Sequence, residues 1–190
     1  MEKQITDIVK KYLHTTPHIE VELRLGKFNC NMFDTNVGQD TFDKVHRRLK
    51  RYTQWEQVIT SEDEVFYWDN ARLVYNDAAN TSVCVKKTKI FKQDFKCTPL
   101  DVRIGIAQEV PTEQPNVDAK RKVNRYRTSF IRKNLSIDLT VVEGAQADID
   151  AEETVVYQIE LEIVNPTIIQ TDDELYNIIY KVTDLLKICE

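Results

Sequence analysis

Four glutamates stand in two short alternating stretches far apart in the sequence. Glu20 and Glu22 lie in His18-Ile19-Glu20-Val21-Glu22-Leu23-Arg24-Leu25-Gly26, and Glu160 and Glu162 in Tyr157-Gln158-Ile159-Glu160-Leu161-Glu162-Ile163. In an extended strand, successive side chains point to opposite faces, so each stretch carries a row of carboxylates on one side and Ile, Val and Leu on the other. Neighbouring carboxylates on one face repel unless a cation sits between them. Two such rows point to a divalent-cation site built from distant strands, with the hard oxygen donors that suit Mg²⁺ or Mn²⁺. Basic residues segregate in the same manner: Arg125 and Arg127 share one strand face with Ser129, and Arg24 shares the face of Glu20 and Glu22. Carboxylate-held metal beside guanidiniums is the equipment of phosphoryl transfer, in which cations bind phosphate oxygens and a carboxylate orients an in-line water.

Strands must position these groups. Alternation marks strands at about 18–28, 56–60, 63–68, 71–76, 81–91, 100–110, 121–131, 135–143 and 154–164, separated by turn signals such as Asp69-Asn70, Asn76-Asp77, Lys133-Asn134 and Gly144-Ala145. In 101–109 the polar side is Asp101, Arg103 and Glu109; in 136–141 it is Ser136, Asp138 and Thr140. In 82–88, Ser82, Cys84, Lys86 and Thr88 oppose Val83, Val85 and Lys87, so parity selects Lys86, with Lys87 and Lys89 as the other lysines of that strand. Arg72 opens the polar side of its own strand. A one-sided sheet wetted on its polar face accounts for any single strand. Acids and arginines on different strands fit better to a sheet curled into a barrel, polar faces inward, around a common cavity.

Three helices accompany the strands. Ile5, Ile8, Val9, Tyr12 and Leu13 pattern a helix over 2–14, and Asp40 is placed to cap another that runs to about Tyr52. Thr171-Asp172-Asp173-Glu174 is a capping-box pattern that opens a last helix, with Leu175, Ile178, Ile179, Val182, Leu185 and Leu186 inward.

The 190 residues suit one domain, 1–190, and 42% hydrophobic with 30% charged residues describe a globular chain with ample polar surface. No apolar run approaches a membrane span and no signal-peptide core follows Met1, so no membrane partner is expected. Cys30, Cys84, Cys97 and Cys189 lack C-x-x-C spacing, which favours free thiols over a zinc site. The net charge of −5 argues against a general nucleic-acid coat. The histidines are few: His18 reads as a surface residue at a strand start, His14 and His46 as helix-surface residues. There is no G-x-S-x-G for a serine hydrolase, no Walker A loop, and no K-x-D-G for nucleotidyl transfer.

Five blocks in order extend the pattern: Ile19-Glu20-Val21-Glu22-Leu23-Arg24-Leu25-Gly26, Asp101-Val102-Arg103 through Glu109, Arg125-Tyr126-Arg127-Thr128-Ser129-Phe130, Ile137-Asp138-Leu139-Thr140-Val141-Val142, and Ile159-Glu160-Leu161-Glu162. Together they resemble the metal-dependent RNA triphosphatases of mRNA capping in fungi, protists and large DNA viruses, a branch of the triphosphate tunnel metalloenzymes. The resemblance implies an α+β, mainly antiparallel fold. Its centre is a closed tunnel-like barrel of about eight strands with a polar interior, flanked by N-terminal, middle and C-terminal helices.

The implied activity removes the γ-phosphate of 5′-triphosphate RNA to leave a diphosphate end, with hydrolysis of nucleoside triphosphates as a side activity. Glu20, Glu22 and Glu162 are implied metal ligands, with Glu160 in or behind that shell and Glu109 orienting the water. Arg72, Lys86, Arg125, Arg127 and Arg24 are implied to grip phosphates, and Asp101, Arg103 and Asp138 to support them through salt bridges. Gln158, Arg125 and Ser136 depart from the family pattern, standing where Glu, Lys and a basic residue are frequent. A guanylyltransferase, as a second subunit or a following domain of a larger capping enzyme, is the implied partner. The implied location is the cytoplasm, virus factory or virion for a viral protein and the nucleus for a cellular one. Two other readings stay open: a tunnel enzyme for thiamine triphosphate or inorganic polyphosphate, and a non-catalytic polyanion-binding module.

Overall fold

Alternating polar and aliphatic residues give strands with one wet and one dry face, and such a sheet hides its dry face against helices. The computed structural model describes residues 1–29, 32–144 and 155–190. The strands are β1 (Ile19–Asn29), β2 (Met32–Asp34), β3 (Gln57–Tyr67), β4 (Ala71–Asn76), β5 (Thr81–Phe95), β6 (Asp101–Pro111), β7 (Arg121–Arg132), β8 (Leu135–Glu143) and β9 (Val155–Ile163). The helices are α1 (Glu2–Lys10), α2 (Gln39–Arg51) and α3 (Asp172–Cys189). All pairings are antiparallel, in the order β2-β1-β6-β5-β4-β3-β7-β8-β9. β9 then pairs back onto β1, with Glu22 opposite Glu162 and Arg24 opposite Glu160. That seam closes the barrel and sets the two acidic rows side by side. β2 is an extra strand on β1, outside the closed ring.

The main core lies outside the barrel, between its wall and the helices. Val21, Leu23, Val102, Ile104, Leu139, Ile159 and Leu161 are at most 1% exposed and meet Ile5 and Val9 of α1, Val45 of α2 and Ile179 and Val182 of α3. Full burial of each such side chain contributes about 1.5–3 kcal/mol, so this one-sided packing is what holds the polar faces inward. The capping box opens α3 as its sequence implies: Thr171 Oγ1 accepts from the Glu174 amide at 3.2 Å and Glu174 Oε2 accepts from the Thr171 amide at 3.3 Å.

Several boundaries differ from the sequence expectation. α1 stops at Lys10, and residues beyond it form turns that still bury Leu13. α2 starts from Gly38, whose φ of 78° suits glycine, and not from Asp40. Asn36 Oδ1 accepts the Gly38 amide at 3.2 Å and the Tyr157 amide at 3.1 Å, which ties that start to β9. The segments 56–60 and 63–68 are one continuous strand, because β7 pairs along its whole length from Gln57 to Tyr67. β2 has too few residues to show a pattern in sequence. His46, expected on a helix surface, is half-buried beside Phe42 and Phe130. Cys30, Ala145 of the expected Gly144-Ala145 turn, and Thr154 at the expected strand start lie outside the described residues; Cys84, Cys97 and Cys189 are free thiols. Among the described residues no helix is long and apolar enough to cross a membrane.

Candidate active site

Strand parity sends Glu20, Glu22 and Arg24 of β1, Glu109 of β6, Arg72 of β4, Arg125 and Arg127 of β7, and Glu160 and Glu162 of β9 into one chamber inside the barrel, about 130 Å³ in volume. These residues come from five strands of the eight-strand ring, so each side chain is delivered by a paired backbone and not by a loop. A larger cavity of about 650 Å³ opens between α2, α3 and the β7–β8 turn, but its floor is Leu49, Leu135, Ile137, Ile169 and Leu185, and it holds none of these groups.

Inside the chamber, charges are matched in a chain. Arg127 donates from Nε to Thr140 Oγ1 at 3.0 Å, from Nη1 to Asp138 Oδ2 at 3.0 Å and from Nη2 to Glu160 Oε2 at 3.4 Å. Arg24 lies 2.8 Å from Glu160 Oε1 and donates to Glu22 Oε2 at 2.9 Å. Arg72 Nη2 donates to Glu109 Oε1 at 2.9 Å. Arg125 Nη2 donates to Asp63 Oδ2 at 2.7 Å.

These contacts sort the carboxyls into two kinds. Burial works against ionisation of Glu160, yet Arg24 and Arg127 outweigh it and hold its carboxyl below the usual glutamate range. Glu162 goes the other way: burial, then Glu20 and Asp138, push it up to about 7. Glu20 is likewise raised, by burial and then by Glu22, with Lys87 offsetting only part of this. The rows thus hold more negative charge than their neighbouring cations neutralise.

Three sequence expectations change. Lys86 is exposed on the outer face; Lys87 points into the chamber, 3.3 Å from Glu109 Oε1 and 3.7 Å from Glu22 Oε2, and touches Glu20 Oε2. The cause is the β5–β6 register, which sets Lys87 opposite Glu109 and so turns the parity of Lys87 inward; the bulge beyond, between Lys89 and Phe91, exchanges faces for the rest of β5. Asp101 makes no salt bridge to the site; it accepts the backbone amides of Phe28 at 2.8 Å and Cys97 at 3.0 Å. Arg103 is paired with Asp94 at 2.6 Å and stacks over Phe33, so both residues secure the barrel end beside β2 instead of the chamber. Asp138 does reach Arg127, and Ser136 Oγ donates to Asp138 Oδ1 at 2.5 Å. Gln158 lines the chamber, its amide donating to Thr35 Oγ1 at 3.0 Å.

Sequence reasoning missed Asp63, 8% exposed, which also accepts from Asn76 at 2.9 Å and Ser61 at 3.0 Å. Its only signal was odd parity shared with Ser61 in an acidic run. It missed as well an apolar cluster with interior parity: Val65, Val123 and Val142 are buried together against Tyr67, Val74 and Val156, and Tyr67, Val123 and Val142 border the charged chamber. Such a wall lowers the local polarizability and strengthens every ionic contact beside it.

The donor set fits a divalent cation. Glu20, Glu22 and Glu162 offer only oxygens, and Gly105 faces Glu22 across the β1–β6 pair, where a Cβ would come within 2.9 Å of Glu22 Oε1. Among the described residues no three His, Cys, Asp or Glu side chains already converge in ligating geometry; the Lys87 ammonium stands among the oxygens of Glu20, Glu22 and Glu109.

The family model for the mRNA triphosphatases, described as mRNA capping enzyme, beta chain, matches residues 68–177, more than half of the sequence. The chain belongs to that family. Its fold is that of the capping triphosphatases. The S. pombe RNA triphosphatase Pct1 superposes with a TM-score of 0.81 at 20% identity, covering 99% of this chain and 91% of that one. The RNA triphosphatase domain of a trifunctional mimivirus mRNA capping enzyme gives 0.69 at 16% identity, covering 100% and 96%. Pct1 has also been solved in complex with the Spt5 CTD, with a TM-score of 0.80 at 18% identity, covering 99% and 91%. Curated protein sequences yield no match.

Proposed function

We propose that this mRNA triphosphatase cleaves the β–γ phosphoanhydride of 5′-triphosphate RNA, dependent on a divalent cation held by Glu20, Glu22 and Glu162. One observation carries the reading: the β1–β9 seam sets two acidic rows beside guanidiniums from β4 and β7 inside one closed barrel. A bound Mg²⁺ or Mn²⁺ supplies Lewis-acid neutralisation of the terminal phosphate oxygens. Arg72, Lys87, Arg125 and Arg127 grip the phosphate chain, guanidiniums matching paired oxygens. Glu109, already aimed by Arg72, orients the water and takes its proton; the water oxygen attacks the γ-phosphorus, the β–γ bridging bond breaks and the bridging oxygen leaves with the diphosphate end. The products are inorganic phosphate and a diphosphate-ended RNA. Glu160 and Asp138 act through Arg24 and Arg127, holding those side chains in extended, pre-organised poses.

We infer that the same chamber also takes nucleoside triphosphates, since every role assigned to its residues is toward the triphosphate chain, the water or the cation. A diphosphate RNA end is the substrate for guanylyl transfer, so the partner we propose is a guanylyltransferase, as a separate subunit or a further domain.

The test compares triphosphate-ended RNA, tripolyphosphate and thiamine triphosphate with Mn²⁺ or Mg²⁺, scoring released phosphate and the RNA end. Diphosphate-ended RNA with one phosphate released per end supports the proposal. Turnover of thiamine triphosphate or tripolyphosphate without RNA turnover overturns the substrate. Triphosphate binding without phosphate release makes the chamber a polyanion-binding module.

A further inference from the structure

We propose that Lys87 is the resident counter-ion of the acidic rows, and that a divalent cation loads only by displacing its ammonium, which couples cation loading to capture of the terminal phosphate. The inference rests on the reading of the chamber as a cation-dependent triphosphatase site. Lys87 reaches carboxylates from two strands: Glu20 and Glu22 of β1, and Glu109 of β6. It is the one lysine among the chamber's described cations, and its single ammonium is shared by three glutamates. Arg24, Arg72, Arg125 and Arg127 each donate directed hydrogen bonds to a carboxylate. Glu20 Oε2 is buried, and the Lys87 ammonium is the cation it touches.

Glu20 and Glu22 are the carboxylates assigned to the cation, and an ammonium and a divalent ion cannot both stand among them without strong repulsion. An ammonium is a point charge on a flexible stem and relocates by bond rotation, unlike a forked guanidinium. The Lys87 backbone is paired with Glu109, whose other partner is Arg72. Expelled from Glu20 and Glu22, the side chain therefore stays on the Glu109–Arg72 side, where phosphate oxygens are gripped. Loading of the cation and presentation of the ammonium to phosphate become one event.

The experiment measures Mn²⁺ binding without substrate, by titration calorimetry at pH 7.5 and low salt. It compares the intact protein, Lys87→Met and the exposed control Lys86→Met. Lys87→Met is expected to bind Mn²⁺ about tenfold more tightly, within the usual range of site coupling, and Lys86→Met within about twofold of the intact protein, as expected of an exposed charge. Affinity unchanged or weakened in a folded Lys87→Met overturns the inference. A second measurement needs no variant: the rate of reductive methylation at Lys87, read by mass spectrometry, is expected to rise when Mn²⁺ is added, and an unchanged or lower rate overturns it. If the intact protein binds no Mn²⁺, the cation-dependent reading falls with it; if it binds Mn²⁺ and Lys87→Met matches it, only the Lys87 inference falls.

Discussion

Glu162→Gln is expected to stabilise the protein while abolishing its chemistry. Glu162 is pushed up to about 7 by burial, Glu20 and Asp138, against an ordinary glutamate value of 4.5. The folded state therefore binds a proton that the unfolded chain releases. The associated stability is complete below about 4.5 and is lost as pH rises through about 7. At 1.36 kcal/mol per pH unit, that interval amounts to about 3 kcal/mol of penalty at pH 8. Glutamine keeps the shape and removes the charge. Urea denaturation in EDTA should show the variant and the parent nearly equal near pH 4.5, with the variant ahead by about 3 kcal/mol at pH 8. In thermal melts the gap corresponds to roughly 6–12 °C for a domain of this size. Saturating Mn²⁺ should close much of it, because the cation neutralises the row in the parent only. Phosphate release from triphosphate RNA should be lost at every pH. A variant no more stable than the parent at pH 8 would refute the claim that the acidic rows carry uncompensated charge.

Three further expectations concern the same chamber. Glu20→Ala should lower phosphate release at saturating Mn²⁺ by more than about a hundredfold, beyond the 10–100-fold typical of outer-shell residues; near-normal turnover would remove Glu20 from the cation site. Asp63→Asn breaks the 2.7 Å pair with Arg125 and should cost about 3 kcal/mol in urea unfolding, the lower end for a broken buried pair, while raising KM for triphosphate RNA; a loss under about 1 kcal/mol would show the pair to be incidental. Gly105→Ala puts a methyl against the end of the Glu22 side chain, which can yield, so stability should stay within about 1 kcal/mol. Mn²⁺ affinity should nevertheless fall about tenfold, as for a displaced ligand, and calorimetry showing parental affinity would separate Glu22 from the cation.

What the chain alone determined is what period-2 alternation carries. Glu20 with Glu22, Glu160 with Glu162, and Arg125 with Arg127 were each placed on a common face because side-chain direction in a paired strand is local, and Thr171 with Glu174 announced a helix start because a capping box closes within four residues. Tertiary structure alone decided the rest. Lys87 replaces Lys86 because the β5–β6 register sets Lys87 opposite Glu109, and local alternation does not say which face of a strand turns inward. Asp63 became a partner of Arg125 through the β3–β7 register, and Val65, Val123 and Val142 form an interior wall only once three strands close around it. Such facts depend on which strand lies beside which, and that is settled by the packing of the whole barrel against its helices, beyond the reach of any local pattern.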